Sequence, residues 1–188
     1  MSKAKDSRIR KQNNQKGHLL GDRAYLKMPL LFCVSVLLLN LASLYAAEKG
    51  YLYFFELFTA QATTGLINLF GIEALQDNTI IHLTNDVWKV NTECTAITIM
   101  IIFASFVMVY QASVKAKSIG LLAGLSFIFA ANVTRLLVMA FIDKFAPAYS
   151  QYFHDYLWQV AFIIMVVVLW LVWIEKVVRR ERKTAIAS

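Results

Sequence analysis

MPLLFCVSVLLLNLASLYAA, from Met28 to Ala47, carries no charge. It is about 20 residues long, enough at 1.5 Å per residue to cross roughly 30 Å of hydrocarbon. A cleaved signal peptide is the competing reading. Such peptides have an apolar region of about 7–15 residues and a small-x-small cleavage site. This run is longer, and Tyr45 spoils the site that would otherwise fit, so the stretch reads as a retained membrane anchor.

The same reading extends along the chain. Thr95 to Val114 is uncharged, Ser118 to Ile142 holds the single charge Arg135, and Tyr156 to Ile174 is uncharged. Tyr156 and Trp158 mark one end of the last run and Trp170 and Trp173 the other, as an aromatic belt would. Residues 51–72 open on aromatics but include Glu56, Gln61 and Asn68. An interfacial or re-entrant helix fits them better than a fifth span, which would put the two tails on opposite sides. Thr79 to Asn91 alternates weakly around Thr84-Asn85-Asp86, suggesting a short outer hairpin. The expected fold is an all-α integral membrane protein. It has a bundle of about four transmembrane helices (28–47, 95–114, 118–142, 156–174) plus the 51–72 segment and the hairpin. The membrane domain covers 28–175. It is flanked by a disordered basic tail at 1–27 and a second basic tail at 176–188, both expected in the cytoplasm.

Composition agrees. The chain is 59% hydrophobic and 16% charged, whereas a soluble domain is about half apolar and a quarter charged. The net charge of +7 does not indicate a nucleic-acid partner, because the basic residues lie in the tails and one short loop. The N-terminal tail has eight Lys and Arg, the Lys115/Lys117 loop two and the C-terminal tail five, against Lys49, Lys89 and Lys144 on the other side. That asymmetry puts the first set inside and segments 48–94 and 143–155 outside. The two cysteines, Cys33 and Cys94, then lie towards opposite faces and define no disulfide framework.

Three reactive side chains fall on the outer side: Cys94, Arg135 and His154. A charge at the centre of a span costs roughly 2.5–3.5 kcal/mol, so Arg135 implies a polar cavity or a partner. The structural alternative is a pair with Asp143 or Glu93, or snorkelling to the interface. Asn132 shares the helix face of Arg135 and would hold the guanidinium or serve as interhelical packing glue. A cysteine in an apolar helix is usually a packing residue. Cys94, however, follows Asn91-Thr92-Glu93 at the water boundary and opens a helix, where the dipole favours negative charge. His154 would shuttle a proton with it, with His82 as the rival on the same side, or be an interfacial histidine without a task.

At these residues the chain resembles the exosortase/archaeosortase family of membrane cysteine transpeptidases. The resembling pieces are Glu93-Cys94-Thr95-Ala96-Ile97, Ala131-Asn132-Val133-Thr134-Arg135 and Phe153-His154, in that order on successive spans, over roughly residues 90–175. The family usually places Gly two residues after the cysteine, where this chain has Ala96; Thr95 fits the pattern. The resemblance implies catalysis by Cys94, Arg135 and His154, supported by Asn132, Glu93 and Thr95, with no cofactor or metal. It further implies secreted substrates whose C-terminal tail carries a recognition motif, a transmembrane helix and a basic cluster, cut at the outer face of the cell membrane through a thioester.

The rival class is a non-enzymatic membrane protein, a transporter subunit or assembly factor, with Arg135 structural or anion-binding and Cys94 inert. Other intramembrane proteases find no support. The chain lacks Gly-x-Ser-x-Gly and His-Glu-x-x-His, and no aspartate lies within an expected span.

Overall fold

The computed structural model describes residues 27–83, 86–147 and 157–181. The N-terminal tail up to residue 26, Tyr156 at the head of the last expected span, His154 and the final residues 182–188 lie outside the described residues.

The chain is an α-helical membrane protein. Three helices are long and apolar enough to cross a membrane: α1 (Lys27–Glu48), α4 (Val114–Phe145) and α5 (Trp158–Glu181). Between α1 and α4 lie α2 (Tyr53–Leu69), strands β1 (Ala74–Asp77), β2 (Ile80–Leu83) and β3 (Val87–Lys89), a 3₁₀ turn at Thr92–Thr95, and α3 (Ile97–Val109). The expected span 95–114 takes the form of this turn and α3. That helix has 13 residues and is about 20 Å long. α4 begins earlier than expected because Ser113 caps it, its Oγ accepting from the Ala116 amide at 3.1 Å. Lys115 and Lys117 therefore lie in the first turn of α4, and Lys117 Nζ donates to the Met108 carbonyl at 2.6 Å, satisfying an orphan acceptor at the end of α3.

α4 is the column against which the rest packs. Ala116, Gly120, Gly124, Ile128 and Asn132 recur every fourth residue and are all buried, forming one stripe. Its small residues permit close approach. A Cβ at Gly120 would overlap the Trp173 indole, and one at Gly124 would overlap the Phe103 ring. Trp173 Nε1 also donates to the Ala116 carbonyl at 2.9 Å. Further out, Phe106 of α3 stacks on Trp170 of α5 with centroids 4.3 Å apart. Phe32 of α1 meets both edge-on.

At the other end of α4, Leu137 and Ala140 join a second apolar cluster with Ala60 and Ile67 of α2 and Ala74, Ile81 and Val90 of the sheet region. α2 turns the buried hydroxyls of Thr59, Thr63 and Thr64 inward. The sheet is a three-stranded antiparallel meander rather than the single expected hairpin. Its extra strand, Ala-Leu-Gln-Asp, has no β-branched residue to announce it. It is fixed instead by Asn68, whose side chain both donates to the Ala74 carbonyl (3.0 Å) and accepts from the Ala74 amide (2.8 Å). Asn78 then turns the chain with φ +56° in a two-residue loop.

Because Phe103 is almost wholly buried against Gly124, Gly124→Ala should destabilise the bundle by about 1–3 kcal/mol through overpacking. A fall in the detergent melting temperature that Phe103→Leu partly reverses in the same chain is the expected result. An unchanged melting temperature would refute the close packing.

Candidate active site

β3 delivers the chain directly into the site. The Val90 amide closes the ladder on the Thr79 carbonyl at 2.8 Å, and Asn91 follows in extended conformation. The Asn91 side chain caps the 3₁₀ turn, its Oδ1 accepting from the Cys94 amide at 3.2 Å while its carbonyl accepts from the same amide at 2.9 Å. Thr95 Oγ1 donates to the Thr92 carbonyl at 2.6 Å, and Thr92 Oγ1 donates to Glu56 Oε1 on α2 at 2.7 Å. The turn carrying Cys94 is thus held from inside and from a neighbouring helix.

Ala96 lets the chain leave this turn and enter α3. It adopts φ 57°, ψ 21°, the left-handed region where a Cβ is unfavourable by roughly 1–2 kcal/mol. This is the position at which the sequence departs from Gly. The backbone there takes a conformation natural to glycine although the residue is alanine.

From α4, fully buried Asn132 donates its Nδ2 to the Cys94 carbonyl at 2.7 Å. Its side chain therefore engages the cysteine turn, and its Oδ1 is buried without a hydrogen-bond partner. One turn further along α4, Arg135 lines the same cavity as Cys94. Its guanidinium carbon is 5.9 Å from the Phe162 ring centroid on α5, and among the described residues its buried Nε has no acceptor. The two meet at a cavity of about 590 Å³ lined by Cys94, Glu93, Arg135 and, from α5, Trp158, Gln159 and Phe162.

Cys94 is half-buried with its Sγ 4.0 Å from the Lys89 carbonyl oxygen, and Glu93 is exposed at the rim. Thr95 is fully buried and its hydroxyl faces the turn. His82 is exposed on β2 and is not among the described residues lining the cavity. His154 lies outside the described residues. Cys33 is exposed on α1. Among the described residues no group of His, Cys, Asp or Glu is arranged to hold a metal ion.

Sequence reasoning missed two contributors. Glu56 registered only as a polar interruption of an apolar segment, and its bond to Thr92 spans 36 residues. Trp158 had been assigned to the aromatic belt. It also lines the cavity, and among the described residues its buried Nε1 has no acceptor.

Ala96→Gly should remove the left-handed penalty and raise the melting temperature in detergent, a gain of about 1 kcal/mol once the added flexibility of the unfolded chain is counted. Ala96→Val should lower it. If the two variants melted alike, the left-handed turn after the cysteine would be wrong.

Comparison with known proteins places this geometry. No curated protein and no solved structure matches the chain. A family model described as transmembrane exosortase matches residues 19–171, a range that takes in α1 through most of α5 together with the cysteine turn and Arg135. The chain therefore belongs to the transmembrane exosortase family.

Proposed function

We propose that the chain is a membrane-embedded cysteine protease/transpeptidase that cuts the C-terminal sorting tail of secreted proteins. Cys94 is the nucleophile, Arg135 the oxyanion stabiliser and His154 the proton donor. The observation that carries this reading is that Arg135 shares a cavity with Cys94 while its Nε, among the described residues, is buried without an acceptor. Buried donors are nearly always satisfied. One left open at a cavity that also contains a thiol is suited to an acceptor arriving with the substrate. Trp158, which lines the same cavity, has a second buried donor, Nε1, without an acceptor among the described residues.

In the first step the Cys94 thiolate adds to the carbonyl carbon of the bond to be cut. The carbonyl π pair moves to oxygen, and that oxyanion lies against Arg135. Collapse of the tetrahedral intermediate restores the carbonyl and breaks the C–N bond. The departing amine takes a proton from His154, and the acyl group stays on Sγ as a thioester. An acceptor amine or water then attacks the thioester and regenerates the thiol. A fixed cation where charge develops is the most effective kind of catalytic group, because it needs no reorganisation during the reaction.

The charge distribution supports an orientation with four spans, both tails in the cytoplasm and the cavity at the outer face of the cell membrane. A substrate anchored by its own transmembrane helix would reach the cavity by lateral diffusion in the bilayer. Exposed aliphatic side chains such as Leu37 of α1, Leu122 of α4 and Ile163 of α5 offer that helix an apolar surface.

The test is tail cleavage of a co-expressed tailed protein, followed by immunoblot. Cys94→Ala should abolish cleavage. Arg135→Ala should lower its rate by about 10²–10³, the range for loss of an oxyanion donor. His154→Ala should lower it less. An impermeant thiol reagent applied to intact cells should label Cys94 and inactivate the enzyme. Cleavage that survives Cys94→Ala would overturn the mechanism and return the chain to the non-enzymatic class.

A further inference from the structure

Among the described residues the sheet has an open edge that ends at the thiol. β3 is the outer strand of the β1-β2-β3 order. In the β2–β3 ladder the Leu83 amide bonds the Asp86 carbonyl and the Val90 amide bonds the Thr79 carbonyl. Antiparallel ladders alternate bonded and non-bonded pairs. With Ile81 opposite Trp88, the bonded residues of this stretch are therefore Asp86, Trp88 and Val90. The amides and carbonyls of Val87 and Lys89, paired across from His82 and Ile80, point the other way, to the open side. Two of these four groups are engaged locally. The Val87 amide donates to the Asp86 carboxylate at 2.8 Å, and the Lys89 carbonyl faces Cys94 Sγ at 4.0 Å. The Val87 carbonyl and the Lys89 amide remain for an incoming chain.

We propose that the substrate segment just ahead of the bond to be cut docks in extended form on this edge, as a fourth strand parallel to β3. The inference rests on the cysteine-peptidase reading and adds how the peptide is held. A carbonyl and the amide two residues later are what one residue of a parallel neighbour uses, giving its N–H to the first and accepting from the second with its C=O. An antiparallel neighbour would need both groups of a single residue, and at Val87 the amide is already held by the Asp86 carboxylate. In the parallel register the next substrate amide to face β3 belongs to the residue two positions on, and it falls beside the Lys89 carbonyl. The peptide bond of that amide is then the one next to Cys94 Sγ.

Chain order agrees with register. β3 leads through the cysteine turn into apolar α3, which the proposed topology directs into the membrane. A parallel partner also runs N to C towards the membrane, as a secreted protein must when its transmembrane helix follows the cleavage site. Main-chain pairing gives affinity that is indifferent to side chains. The exposed side chains of Val87 and Lys89 lie where they would touch the substrate residues ahead of the bond.

The probe is the same tailed protein used in the cleavage assay. Lys89→Pro removes the open amide, and because that amide points away from β2 the ladder keeps its bonds. Relative to Lys89→Ala, which loses the same side chain, Lys89→Pro should slow cleavage about tenfold. Equal rates would overturn the proposal. A second arm does not depend on activity. In a Cys33→Ala, Cys94→Ala background, Val87→Cys or Lys89→Cys is oxidised against the tailed protein carrying one cysteine at successive positions. Alternate positions should cross-link, and Lys89→Cys should link about two residues nearer the cleavage site than Val87→Cys, as parallel strands require. The reverse order, or no alternation, would overturn it. Cleavage that depends on Cys94 while both edge experiments fail removes strand docking alone, whereas cleavage independent of Cys94 removes the peptidase reading beneath it.

Discussion

The hydrogen bond from Asn132 Nδ2 to the Cys94 carbonyl is the joint between two unlike parts of this protein. On one side is α4, a long apolar helix suited to a bilayer. On the other is a polar turn fed by a sheet. In hydrocarbon an unpaired backbone carbonyl is costly, so a non-helical turn at the head of a membrane helix must find its partners within the protein. The turn at Thr92–Thr95 finds them from three directions: Asn91 beneath it, Glu56 through Thr92 at one side and Asn132 at the other. Asn132 and Arg135 are three residues apart on one helix. Fixing the turn to Asn132 therefore also fixes Cys94 relative to Arg135.

The rest of α4 explains why that joint is rigid. Its stripe of small residues brings Phe103 of α3 and Trp173 of α5 into contact with the backbone of α4. α3 starts immediately after the cysteine turn, so the seating of Phe103 fixes the height at which the turn sits. α5 carries Trp158 and Phe162 one helical turn apart, so its seating fixes the far wall of the cavity. The polar site depends on apolar packing well below it. That dependence is expected where lipid supplies no hydrophobic drive between helices and close contact must do the work.

Much of this was legible in the sequence, because the bilayer imposes a simple rule. Long apolar runs form helices, and residues 28–47, 118–142 and 158–174 lie within α1, α4 and α5. Features decided by local geometry were not legible. Ala96 looks like one more apolar residue inside an uncharged run, yet its left-handed φ separates the cysteine turn from α3. Ser113 lacks a Glu or Gln three residues later, so the capping-box signal that would have moved the start of α4 was missing. β1 has neither alternation nor branching, and its place comes from Asn68. In the site, topology was enough to bring Cys94 and Arg135 together. The partner of Asn132 was not readable, since a shared face with Arg135 does not say which atoms that face meets. An aromatic at a membrane interface and one at a cavity mouth have the same sequence signature, so the cavity-lining place of Trp158 was not readable.

A purely structural role for Arg135 has to account for what its surroundings do to it. A snorkelling arginine directs its charge towards water, and a structural ion pair satisfies its donors. Here the guanidinium lies near the Phe162 ring at the cavity, and Nε is buried with no acceptor. An unmet buried donor lowers stability by about 1–3 kcal/mol. Two cavity-lining residues with buried donors that lack acceptors among the described residues, beside a turn that three separate contacts hold in register, make that loss intelligible if an anion forms there only transiently. The site would then be incomplete in the resting protein because its last acceptor is the reacting carbonyl oxygen. Such a site binds the transition state better than the ground state, which is the condition for catalysis.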